Sequence, residues 1–153
     1  MSGQATVTID SSQWSVVVAS SYSELLTGLS NHTSLDARAG MLFDMGSDRD
    51  SIAINMDGMA FALDIAFINS SGVVVGVERN VLPDVGVTFD SAGGLGARYF
   101  LEVNAGEMVS VIVGSTMTIS NYVPDADTGI DLGSIVSLMI AMMMMGIMMK
   151  MMV

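Results

Sequence analysis

The sequence predicts a mainly β domain of the α+β class. The expected form is a compact β-barrel or β-roll of about seven or eight short strands with one short helix, followed by a C-terminal hydrophobic helix. Three observations lead there. Short β-branched and aromatic runs recur between Gly, Asn, Asp and Ser turn signals. One segment carries helix-capping chemistry. Residues 132–149 contain no charge at all.

The elements follow in order. Residues 5–9, Ala-Thr-Val-Thr-Ile, alternate as a first strand. Residues 14–19 continue with the β-branched run Val16-Val17-Val18. Ser20 and Ser21 are N-cap candidates, and Glu24 stands three residues after Ser21, the capping-box spacing. Leu25, Leu26 and Leu29 then fit one face of a short helix ending near Gly28. Residues 41–43 form a strand before an acidic turn over 44–50. Residues 51–56 alternate. Residues 61–69 are the best buried strand, with Phe61, Leu63, Ile65 and Phe67 on one face. Ser70-Ser71-Gly72 reads as a hairpin turn into residues 73–77. A Gly-rich loop containing Pro83 covers 82–96. Strands are expected at 97–103, 108–113 and 117–120. There is no internal repeat. The expected division is a β-domain over 1–123, an acidic linker over 124–131 and a Met-rich helix over 132–153.

Composition narrows the function. At 153 residues the chain suits one domain. With 51% hydrophobic and 14% charged residues it is too apolar for a disordered chain. Sixteen acidic residues against five basic ones give a formal charge of −11, which repels phosphate backbones and argues against a nucleic-acid partner. The absence of cysteine excludes disulfides, thiolate metal sites and Cys nucleophiles. The single histidine, His32, lies in a polar loop and leaves no His cage or relay. No cofactor is expected. Residues 1–10 lack the basic and apolar regions of a secretory signal, so none is expected.

Four blocks in order resemble the DUF192 family of small β-rich domains. They are VVVASSYSELLTGL at 16–29, GMLF at 40–43, FALDIAFI with SSGVVVGV at 61–68 and 70–77, and ARYFLEVNAG at 97–106. The resemblance implies a fold and no reaction, because the family has no established activity. It also marks a departure. The family's Trp-Met-Lys-Asn-Thr segment is replaced here by Asn55, Met56, Asp57, Gly58 and Met59, which keep only the Met.

Several residues are candidates for chemistry. Asp64, Arg98 and Glu102 are charged positions inside apolar strands. They read as a structural ion pair or backbone anchor, against a general acid–base reading in which Arg98 tunes a carboxyl. Asp125, Asp127 and Asp131 have the D-x-D-x-G-x-D spacing that wraps oxygen ligands around Ca²⁺, against the reading of a solvated hinge. The Asp44, Asp48 and Asp50 cluster is a weaker version of the same idea. The nine methionines beyond residue 138 are thioethers that suit Cu(I). However, Met142 to Met145 point all around a helix, which fits an adaptable apolar surface better. Gly93-Gly94-Leu95-Gly96 has no following Lys and is not a phosphate loop.

An uncharged stretch of eighteen residues meets the lower length limit for a membrane span, about 27 Å as a helix. Lys150 can snorkel at its end. Leu138, Met142, Met145 and Met149 are its candidate membrane or assembly contacts, and Gly133, Ser134, Ser137, Ala141 and Gly146 allow close approach. The expectation is a non-enzymatic structural or interaction module. It would be held in a larger assembly such as a phage or virion tail tip, or at a membrane, through protein partners, copies of itself or lipid. A membrane-anchored ligand- or Ca²⁺-binding envelope module is the alternative, and an enzyme ranks third.

Overall fold

The computed structural model describes residues 3–20, 34–91 and 96–124. The expected helix at 20–29, the acidic linker and the Met-rich stretch lie outside these residues, apart from Ser20 and Pro124.

Nine strands form among the described residues: β1 (Gly3–Ile9), β2 (Ser12–Ala19), β3 (Ala39–Arg49), β4 (Ser51–Ile54), β5 (Leu63–Ile68), β6 (Val74–Val81), β7 (Val87–Asp90), β8 (Ala97–Asn104) and β9 (Met117–Pro124). Seven of them make one sheet in the order β6-β5-β8-β3-β2-β1-β9, and β4 and β7 make a separate ribbon. All pairs are antiparallel except β2 with β3. A parallel pair needs a long crossover, supplied here by the chain between Ala19 and Ala39. β1 and β2 join through a two-residue loop, Asp10 and Ser11. Asp10 takes the positive φ (54°) that such loops need.

The sheet curls around a first core. Val7, Ile9, Trp14, Val16, Val18, Leu42, Ala66, Ile68, Leu101 and Val103 all point into it, with Met108, Val111 and Met117 capping one end. Alternation along β1 and β2 explains the placement: every second residue, from Ala5 to Ile9 and from Trp14 to Val18, is buried in this core, and of the alternate positions only Ala19, at the end of β2, is buried, in the second core. The second core lies on the opposite face of β3, β8 and β5. There Met41, Phe43, Leu63, Ile65, Phe67 and Phe100 meet the β4–β7 ribbon through Ile52, Ile54 and Phe89. Phe43 stacks on Phe100 at 4.4 Å and Phe67 on Phe89 at 4.9 Å. β5 is therefore buried on both sides. Phe61 packs against the same core as Leu63, Ile65 and Phe67, as their alternation requires.

Four expectations are corrected. The barrel does not close. Edge strands β6 and β9 are not paired; the residues at and just before their starts meet through an isolated bridge, Val73 to Thr116, and the backbone bonds of Val74 to Ser115 and Met117 to Gly72, and the 105–116 loop lies between them. That loop is not the strand expected at 108–113. Its backbone bonds run three residues back, from Val111 to Met108 and from Ser115 to Ile112, so Met108 and Val111 turn inward at a spacing of three. The acidic run 44–50 is mostly strand, since β3 continues to Arg49. A register shift between Asp44 and Arg49, with Gly46 at φ 87°, absorbs the irregularity. The 82–96 loop contains β7, whose Phe89 supplies the apolar anchor.

Gly40 is the tightest crossing of β3 over β8. A Cβ there would lie 2.7 Å from the Glu102 carbonyl oxygen and 2.9 Å from Val103 Cγ1. Gly40→Ala must push two central strands apart. It is expected to cost about 2 kcal/mol or more, read as a lower urea midpoint with an unchanged slope.

Candidate functional site

The three charged strand residues do not meet. Alternation puts Asp64 and Glu102 on opposite faces of the sheet, and Arg98 lies at the start of β8, beside Asp44. Arg98 pairs with Asp44, across the β3–β8 ladder, and not with Asp64 or Glu102. Its Nε and Nη2 donate to the two Asp44 oxygens at 2.9 and 3.1 Å. Arg98 also lies over the Tyr99 ring at 4.9 Å. Burial of Asp44 works to raise its pKa. The Arg98 hydrogen bonds, the Gly46 amide at 2.8 Å and the guanidinium charge outweigh that and hold it below the usual value. The same pair holds Arg98 above its ordinary value.

Asp64 faces the first core at one end of β5 and is almost fully buried. Its Oδ1 accepts the Asn80 amide at 2.9 Å. Its Oδ2 accepts the amides of Gly106 and Met108 at 2.9 and 3.0 Å. The carboxylate thus ties β5 to β6 and to the turn after β8. It is the backbone anchor among the readings of these residues.

Glu102 faces the other side of the sheet, beside Met41 on β3 and Ile65 on β5. No described residue hydrogen-bonds to its carboxyl, and burial alone pushes its pKa up to about 8. At neutral pH it is a neutral acid in an apolar setting.

The register extends this position into a row across the sheet: Val123, Gln4, Val17, Met41, Glu102 and Ile65. Exposure along the row falls from 62% at Val123 and 45% at Val17 to 9% at Met41, 5% at Glu102 and zero at Ile65. Its open half is a groove of about 430 Å³ over β9, β1, β2 and β3, with Leu35 on its wall and Ala39 and Gly40 in its floor. Among the described residues that line it none is charged. Sequence reading passed over this surface because Val17 sits inside the run Val16-Val17-Val18, where alternation leaves no trace in residue type.

A second network fixes the far end of the domain. Trp14 Nε1 and the Arg38 amide both donate to Glu107, at 2.9 and 3.0 Å, and the Arg38 guanidinium lies over the Trp14 ring. Arg79 donates to the Met108 and Val111 carbonyls, and Ser115 donates to Asp10 at 2.8 Å. These bonds hold a loop that exposes Val109, Ile112 and Val113.

Met56, which matches the family's departed segment, is buried in the second core, and its carbonyl accepts the Met59 and Asp84 amides. The methionine there is a packing residue, and Asp57 and Gly58 form the exposed tip. Asp48 accepts the amide and hydroxyl of Ser70, so one member of the 44–50 cluster braces the β5–β6 turn. Among the described residues no group of three His, Asp or Glu side chains is placed to hold a metal. Asp125, Asp127 and Asp131 lie outside the described residues, as do His32, Leu138, Met142, Met145 and Met149. Among the described residues no helix is long and apolar enough to cross a membrane.

These features define a small, mixed-sheet β-domain with two cores and a buried carboxylate clamp. The DUF192 family model, described as uncharacterized ACR, matches residues 5–119. The chain belongs to that family. Two solved structures share the fold. One is a protein from Sinorhizobium meliloti 1021 described as a "putative transcription regulator", 24% identical, with a TM-score of 0.69, covering 77% of this chain and 95% of its own. The other is a protein of unknown function from Novosphingobium aromaticivorans DSM 12444, 22% identical, with a TM-score of 0.67, covering 75% and 84%. No curated protein matches the sequence.

Two outcomes are expected. Asp64→Ala leaves three amides without their acceptor. It should cost about 3 kcal/mol or more in urea unfolding, and the Asn80, Gly106 and Met108 amides should lose hydrogen-exchange protection first. Glu102 behaves in the opposite sense to a salt-bridged acid. Its folded pKa, about 8, stands above the ordinary 4.5, so its contribution is complete below 4.5 and is lost as pH rises toward 8. Stability should fall by roughly a kcal/mol per pH unit across that window, and Glu102→Gln should flatten the profile.

Proposed function

We propose that this chain is a non-catalytic interaction module, a rigid acidic β-domain attached to a larger assembly or to a membrane by its apolar stretch at 132–149. A phage or virion tail tip is one assembly of that kind. The observation that carries the reading is how the domain spends its acidic groups. Asp64 is bound to three amides, Asp44 to Arg98, Asp48 to Ser70 and Glu107 to Trp14 and Arg38. Side chains bonded in this way hold a shape, which supports a structural role. The uncharged groove beside the chain's departure at Pro124 and the exposed Val109, Ile112 and Val113 offer contact surface instead.

The description of the Sinorhizobium protein belongs to that protein. A formal charge of −11 weighs against phosphate-backbone binding here. The calcium reading rests on Asp125, Asp127 and Asp131 alone.

The test is flotation of the full chain with neutral phosphatidylcholine vesicles, beside light scattering without detergent. Membrane attachment predicts flotation that is lost in Leu138→Asp/Met142→Asp, because charge at the centre of an apolar span costs several kcal/mol. Assembly predicts a discrete oligomer that does not float and that the same substitutions dissociate. If the variant matches the parent in both measurements, the attachment role is wrong.

A further inference from the structure

We infer that the groove over β9, β1, β2 and β3 is the docking site for the start of the chain's own apolar stretch, residues 132–138. The inference deepens the attachment reading, on which it rests, by giving that stretch a sheltered position against the domain.

Four observations support this occupant. The first is delivery. Val123 lines the groove and Pro124 ends β9, so the chain departs from the groove's own rim. Residues 125–131 span at most about 25 Å when extended, ample for residue 132 to fold back over Val17 and Leu35. The second is charge. In a chain with sixteen acidic residues, every described residue lining the groove is uncharged, and so is every residue of 132–149. An acidic or basic partner segment would find no counter-charge here. The third is exposure. Val17 and Val123 stand 45% and 62% exposed on a face whose inner half, from Met41 onward, is buried. An apolar segment laid over these two valines would remove their exposed surface from water. The fourth is size. About 430 Å³ is the scale of a small-molecule pocket. It seats the few side chains of one or two turns, such as Leu132, Ile135 and Leu138, and leaves Met139 onward for lipid or a partner. Only part of the stretch is sheltered, so docking and attachment are competing states of the same residues.

The chain has no cysteine, so single thiols report directly. Val17→Cys and Gln13→Cys place thiols on the same face of β2, inside and outside the groove. In the full chain without detergent, maleimide is expected to label Cys at 17 at least tenfold more slowly than Cys at 13. Adding Leu132→Asp and Ile135→Asp should restore the faster rate. Val17→Cys/Ile135→Cys should form a disulfide within one chain, seen as an unchanged mass on a non-reducing gel. Three results overturn the inference: equal labelling of the two thiols, slow labelling that the aspartates leave unchanged, or a disulfide found only at doubled mass, which assigns the groove to a second copy. Vesicle flotation of the parent chain reads attachment independently. An empty groove with intact flotation refutes docking alone, and lost flotation with an occupied groove refutes membrane attachment alone.

Discussion

The Asp64 carboxylate is the constraint on which the rest of the fold depends. Three backbone amides, from β6 and from both sides of the turn after β8, converge on one buried side chain. The Met108 amide would otherwise be buried with no water to satisfy it, and the Asn80 and Gly106 amides lie at the part-buried margin of the same core. With these bonds in place, β6 is held against β5, although Asn80 departs from strand geometry at φ 55°. The 105–116 loop is then fixed at its start. Arg79 catches it at Met108 and Val111, and Ser115 fastens its end to Asp10. A sheet that does not close as a barrel is sealed by this loop, through these side chains and through the backbone bonds Val74 to Ser115, Gly114 to Val74 and Met117 to Gly72.

The same logic sorts the other acidic residues. Asp44 is half of a charge pair at the point where β3 leaves its regular register, so it stabilises a bulge that a neutral side chain would leave under-bonded. Glu102 has no such partner among the described residues. Its cost is met by the packing of Met41, Ile65 and Phe100 around it, and it is tolerated as an uncharged acid.

The sequence was most legible where periodicity is clean. β1, β2, β5 and β8 follow from period-two alternation and their turn residues, and the Leu-Asp-Ile-x-Phe-Ile block placed β5 in the family's hairpin. It was least legible where a polar group is satisfied by something distant. Nothing local to 44–50 shows that Arg98, fifty-four residues on, neutralises Asp44 and keeps β3 extended. Nothing in Met108-Val109-Ser110-Val111 separates a strand from a run of turns, because short apolar segments fit either period. Asp64, Arg98 and Glu102, read together as an ion pair or backbone anchor, are not one group: Asp64 is an anchor, and Arg98 pairs with Asp44. Alternation puts Asp64 on one face of the sheet and Glu102 on the other, and the apparent cluster existed only in composition. The groove was hidden for a related reason, since its exposed valine is chemically identical to the buried ones on either side.

The pairing of β1 with β9 gives the domain two poles. Gly3 lies beside Pro124 at one end of the ladder, and Ile9 beside Met117 at the other. β1 therefore begins beside the last described residue of β9. The loop that exposes Val109, Ile112 and Val113 belongs to the opposite corner, next to the Asp10 turn. Seven residues of strand rise about 23 Å. The paired strands are thus a stiff spacer of about that length between the Gly3–Pro124 end and the exposed Val109, Ile112 and Val113.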